Sequence, residues 1–223
     1  MKWLFENVVL PELIQSFSIK TKIEYETLKV LGMGESTVDD KIGDLMKIDN
    51  PIVGLLAHPG QVDVRITATG EDSERKILID KTKQEIFERL NDTTIISEDL
   101  TPIQYLQNLL IKNNKEIIIL DEASNGFITS EIGGNPNLNV TGISGKNNDI
   151  EKYKTSNINS IVVSIKSEYL DKNVNNLAKG KTYIQISDGT KEITEYQQFG
   201  VRSKIDKQRL LMLVVHLLIK FCV

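Results

Sequence analysis

The chain has 223 residues, with 27 Lys and Arg against 31 Asp and Glu, for a formal net charge of −4. That balance provides no global positive field to draw in nucleic acid or an anionic membrane. Its 40% hydrophobic content can bury a core,. The single cysteine, Cys222, excludes an intramolecular disulfide and any cysteine-rich zinc site,. With only His58 and His216 as imidazoles, no metal site or cofactor is expected.

Residues 1–17 read as a helix carrying Trp3, Leu4, Val8 and Leu13, with Pro11 as a kink or restart. The opening Met1–Glu6 segment places an acid where a secretory signal needs apolar residues, so a cytoplasmic protein is expected. Lys22 to Leu31 alternates as a strand, ended by Gly32-Met33-Gly34. A helix should start at Ser36, capped with Asp39 three residues on, and carry Val38, Ile42, Leu45 and Met46. Pro51 and Pro59-Gly60 punctuate the next stretch. Val62 to Ala68 alternates as a half-buried strand, Asp72 to Leu90 is an amphipathic helix, and Thr93 to Ser97 is a short strand. These make one compact α/β unit.

Glu98 to Pro102 is a polar junction and the expected domain boundary. Thr101 and Pro102 suit the cap and first turn of a helix to about Lys112. Glu116 to Leu120 is a buried-type strand, with a helix starting near Ser124. Asn135 to Lys154, rich in Asn, Gly and Lys, reads as a long loop. Ser160 to Ile165 is a strand, and Thr182–Ser187 with Glu192–Phe199 forms a hairpin around Asp188-Gly189. Lys204 to Phe221 is a helix apolar on most faces. Its core, Leu210 to Ile219, is too short to span a bilayer. The second half is therefore a sheet with helices packed on it, expected as three layers.

Three stretches, in order, resemble the CinA (competence/damage-inducible protein A) family. Residues 1–11 are similar to the helix closing that family's first domain, a molybdopterin-binding-like fold. Leu28-Lys29-Val30-Leu31-Gly32-Met33-Gly34-Glu35-Ser36 resembles the FGIGES signature of its middle domain, and Ala57 to Ala68 resembles the accompanying AKPGEVxLRITA stretch. Gly180 to Gly189 resembles its C-terminal GTVYIALADG hairpin. The resemblance implies an α/β fold: a residual N-terminal helix (1–17), a KH-like α/β domain (18–97) and a three-layer α/β/α CinA C-terminal-like domain (101–223). It also implies the chemistry of that last domain, deamidation of nicotinamide mononucleotide and related pyridine nucleotides.

The family's deamidase signature is ESCTGG at a strand-to-helix turn. Its serine serves as nucleophile, and its glycines let a phosphate approach backbone N–H groups. The matching residues here are Glu122-Ala123-Ser124-Asn125-Gly126-Phe127. Ala123 has no oxygen to attack with, Ser124 sits one place on, and Phe127 replaces a glycine. The Tyr and Lys of the family's YSNEAK motif have no match. Lys146, Lys152 and Tyr153 are the nearest candidates. Lys166-Ser167-Glu168-Tyr169 stands where a glycine-rich GIAGPxGG segment is expected. No catalytic residue is therefore assigned, and Glu122, Ser124, Asn125 and Gly126 are expected as a remnant ligand pocket. The expectation is a non-catalytic binding or scaffolding relative. The alternative is an active amidohydrolase with Ser124 as a displaced nucleophile.

The remaining candidates favour bland readings. Thr141 to Asn147 lacks the spacing of a phosphate loop. His58 reads as a turn residue, His216 as a core or interface histidine, and Cys222 as a terminal thiol. Gly32-Met33-Gly34 is G-x-G among acidic neighbours, unlike the G-x-x-G that clamps RNA in KH domains. The expected partners are a second copy of the chain, in a homodimer, and a pyridine nucleotide, with neither nucleic acid nor membrane. The dimer expectation rests on the family resemblance and on the apolar excess of Leu210 to Ile219.

Overall fold

The computed structural model describes residues 2–17, 22–143, 150–153, 159–169, 180–201 and 203–223. The N-terminal helical run comprises α1 (Lys2–Leu4), a π-helical stretch (Phe5–Val9) and α2 (Leu10–Phe17). Pro11 accounts for the wide turn. It lacks an N–H, and its ring presses on the carbonyl four residues back. The chain widens to relieve that contact, so the Leu10 N–H reaches the Phe5 carbonyl, five residues back,. Trp3, Phe5 and Phe17 on this run are exposed.

The first sheet follows the alternation read from the sequence. Its elements are β1 (Lys22–Leu31), α3 (Glu35–Ile42), a 3₁₀ turn (Leu45–Lys47), β2 (Ile52–His58), β3 (Gln61–Gly70), α4 (Asp72–Arg89) and β4 (Thr94–Ile96). The strand order is β2-β3-β1-β4, antiparallel throughout. Leu28, Val30, Val64 and Ile66 turn inward to meet Val38 and Ile42 of α3 and Ile79 and Ile86 of α4. The sequence reading had no strand at β2. Gly54 interrupts its pattern, and its outward residues Ile52 and Leu56 are as apolar as its inward Val53, so alternation is lost,. The helix expected from Ser36 begins at Glu35 with Gly34 as N-cap and no side-chain cap, so Ser36 and Asp39 form no capping box.

The second sheet lies beyond the polar junction, and no strand of the described residues pairs across it. Its elements are α5 (Pro102–Lys112), β5 (Glu116–Asp121), α6 (Phe127–Ile132), β6 (Val140–Ile143), a 3₁₀ turn (Ile150–Lys152), β7 (Ser160–Tyr169), β8 (Gly180–Ser187), β9 (Glu192–Gln197) and α7 (Lys204–Cys222). Thr101 and Gln104 close a capping box at the start of α5,. The order is β6-β5-β7-β8-β9, with β5 parallel to β6 and β7 and the β7-β8-β9 pairs antiparallel. Residues of α5, α6 and α7 share one core with Ile117, Ile119, Val163 and Ile184. On the opposite face, Ile150 of the 3₁₀ turn packs on Leu120 and Val162. Part of the expected loop 135–154 is thus the strand β6, and residues 144–149 lie outside the described residues.

The apolar excess of α7 is consumed inside the chain. Nine of its residues are buried, among them Leu210, Val214, Val215 and Leu218. Leu31 of β1 and Ile96 of β4 belong to the same core, so α7 joins the two sheets. The argument for a dimer from Leu210 to Ile219 therefore fails: these residues already have partners. Two loops of the first sheet are shaped for this contact. Gly32 has φ +84° and Gly60 φ +81°. A Cβ on Gly32 would lie 2.5 Å from His216 Nε2, and one on Gly60 would lie 2.8 Å from Met212 Cβ. Only glycine adopts that backbone cheaply and admits the helix so closely.

Candidate functional site

The strand-to-helix turn after β5 is the place the sequence points to. Asp121 ends the strand with its side chain buried, at 2% exposure. Its carboxylate gathers the turn: Oδ1 accepts from the N–H groups of Ala123 (3.0 Å) and Ser124 (2.7 Å), and Oδ2 from Gly126 (3.0 Å). The Ser124 hydroxyl donates to the same Oδ2. That hydroxyl also accepts the Ile128 N–H at 3.1 Å, satisfying a donor in the first turn of α6,. Asn125 (φ 58°) and Gly126 (φ 80°) both adopt the left-handed conformation that wraps the loop around the carboxylate,.

This arrangement is an anion-binding nest whose anion is the chain's own Asp121. Three N–H groups of the turn are already satisfied. Ser124 is fully buried and serves as a cap for α6. Ala123, at the position of the family's nucleophile, is buried and apolar. A cleft of about 260 Å³ opens beside the turn, lined by Asp121, Gly126, Thr129, Ser130, Gly142 and Ile143. It lies at the carboxyl ends of the parallel strands β5 and β6, where open α/β sheets place their ligands.

Of the four expected pocket residues, only Gly126 lines that cleft. Ser124 is turned into the Asp121 nest, Asn125 is exposed, and the Glu122 N–H bonds the Ile165 carbonyl at 3.0 Å. Asp121, Thr129 and Ser130 were not singled out from the sequence. An acid at a strand end followed by Ser-Asn-Gly is the available signal for such a turn. Lys146 lies outside the described residues, Lys152 is exposed, and Tyr153 packs against Ile150, Leu120 and Val162 on the far face of the sheet.

The other candidates resolve by burial. His216 is 8% exposed, and its Nδ1 lies 2.8 Å from the Thr94 hydroxyl. Burial, with Lys220 one turn on, lowers its pKa to about 4. It is therefore an interface histidine held neutral. His58 is exposed, with Nε2 3.2 Å from Asp63. Burial pushes the Cys222 thiol up, the opposite of an activated nucleophile,. Among the described residues no three His, Cys, Asp or Glu side chains could share a metal ion, and no helix is long and apolar enough to cross a membrane.

An antiparallel sheet under two helices, followed by an α/β unit whose first turn is closed by its own carboxylate, defines a two-sheet α/β protein with a KH-like module. Residues 25–94 match the family described as the damage-inducible protein CinA KH domain. A competence-damage inducible protein of Clostridium botulinum (Type A) is 30% identical over 176 residues, covering 77% of this chain and 41% of its own length. A CinA-like protein of Prochlorococcus marinus is 32% identical over 133 residues, covering 59% of this chain and 31% of that protein. Residues 25–94 are thus a CinA-type KH domain, and the chain spans about two fifths of the Clostridium relative it matches. A formyltetrahydrofolate deformylase of Pseudomonas putida covers 90% of this chain and 96% of its own, at 10% identity and a TM-score of 0.23, too low to carry a fold argument.

Proposed function

We propose that this chain is a non-catalytic binding or scaffolding relative of the nicotinamide-nucleotide deamidases. The observation that carries the reading is the fate of Ser124. Its hydroxyl is fully buried, donates to Asp121 and caps Ile128, so it is out of a substrate's reach and its oxygen is occupied as a helix cap,. The turn's N–H groups, which would otherwise meet a phosphate or an oxyanion, face Asp121 instead,. The 260 Å³ cleft beside them is the remnant pocket of this reading. A pyridine nucleotide entering it would keep its phosphate away from the Asp121 carboxylate and use the Thr129 and Ser130 hydroxyls.

Ammonia release from nicotinamide mononucleotide by the purified chain, beside Ser124→Ala, tests the catalytic part. No turnover is expected from either protein. Turnover by the parent that disappears in the variant would establish the amidohydrolase alternative. Self-association belongs to the same proposal, supported by the exposed Trp3, Phe5 and Phe17 of the N-terminal run rather than by α7,. Light scattering should give a dimer, and a monomer at high micromolar concentration would remove that part.

A further inference from the structure

We infer that the cleft between the two sheets binds a small zwitterion of amino-acid to dipeptide size. This cleft, of about 410 Å³, is separate from the Asp121 turn and independent of the reading given to it. Its volume falls within the range of small-molecule sites, which favour boundaries between structural units. The β1–α3 loop and the β2–β3 turn form one wall, and α7 with the end of β9 forms the other. Met33, Val62, Phe199 and Leu213 supply the apolar surface.

Two charges of opposite sign line this cleft, and neither is used by the fold. Arg209 on α7 has no hydrogen-bond or ion-pair partner among the described residues, and the same holds for Glu35 at the start of α3. They do not pair with each other. The other polar groups are engaged: His58 with Asp63, Gln61 with Asp63, and Gln197 with Glu195. An acidic group for the Arg209 guanidinium, a cationic group for the Glu35 carboxylate and an apolar body between them match this set.

Gly34 gives the second line of argument. Gly32 and Gly60 are explained by their positive φ and by the closeness of α7. Gly34 is not. Its φ of −81° and ψ of 160° suit any residue, and a Cβ there would meet no atom within 4 Å. A Ser or Asp at this N-cap would also supply the cap that α3 lacks,. Neither backbone nor packing calls for glycine at this point. Gly34 stands in the wall of the cleft, and the space beside it that a side chain could fill is open.

The probe is the leucyl-phenylalanine dipeptide, followed by amide chemical shifts of the full chain. Binding should move the amides of Gly32 to Ser36, Gly60 and Leu213, with a dissociation constant of about 1 mM or tighter. Blocking the dipeptide's amine by acetylation should weaken wild-type binding at least about fivefold, yet make little difference to Glu35→Gln. Amidating its carboxylate should behave likewise towards Arg209→Gln. Gly34→Leu should lower the melting temperature only modestly, through the poorer N-cap of α3, stay folded at the assay temperature and lose binding,. The inference falls if the dipeptide moves none of these amides at about ten times that concentration. It falls equally if Gly34→Leu binds as the parent does, or if charge-deleted dipeptides bind the parent unchanged.

Discussion

Replacing Gly32 by alanine tests the claim that α7 locks the two sheets together. Two costs add. The left-handed φ of +84° is natural to glycine, and a Cβ there costs about 1–2 kcal/mol,. The new methyl would also sit 2.5 Å from Nε2, 2.7 Å from Cε1 and 2.9 Å from Cδ2 of His216. That ring has little freedom to retreat, because Nδ1 is 2.8 Å from the Thr94 hydroxyl and the residue is buried. Overpacking of this kind costs about 1–3 kcal/mol. The sum is about 2–5 kcal/mol, a large part of the stability of an ordinary domain. Urea unfolding followed by circular dichroism measures it as a lower midpoint. Combining Gly32→Ala with His216→Ala should recover the steric part and leave the backbone part, giving a favourable coupling of about 1–3 kcal/mol. A loss below about 1 kcal/mol in the single variant, or no coupling in the double variant, would refute the lock.

Asp121→Asn should destabilise the chain by about 2–4 kcal/mol in the same unfolding assay, since it removes the charge from a carboxylate accepting four hydrogen bonds,. Ser124→Ala should cost about 1–2 kcal/mol, through loss of the bond to Asp121 and of the Ile128 cap,. Acid should weaken the fold through His216. Its folded pKa of about 4 lies below the ordinary 6.5, so the buried neutral form stabilises above pH 6.5. That stability is lost as the pH falls from about 6.5 towards 4, to a limit of about 3 kcal/mol,. The midpoint of His216→Gln should be less sensitive across this window. Thr101→Ala opens the capping box of α5 and should cost about 1 kcal/mol by thermal unfolding, with Thr101→Ser close to the parent,.

The sequence by itself determined the elements whose signals are local. Alternation in Val62 to Ala68 fixed the face of β3, and Thr101-Pro102 fixed the start of α5. The motifs around Gly32 and Pro59-Gly60 led to the CinA family, and the comparison over residues 25–94 agrees. Other elements have no local signature. In β2 both faces carry apolar residues, and β6 lies in an Asn-rich stretch and becomes a strand by parallel pairing with β5. The apolar surface of α7 looked like an oligomer interface because sequence periodicity shows that a helix needs partners without showing where they are. Tertiary structure decided that Leu31 and Ile96, more than a hundred residues earlier in the chain, belong to its core. It also decided the meaning of Ser124. A serine at a strand-to-helix turn reads alike as nucleophile or cap, and only the buried Asp121 carboxylate, collecting that hydroxyl with three backbone N–H groups, makes it a cap.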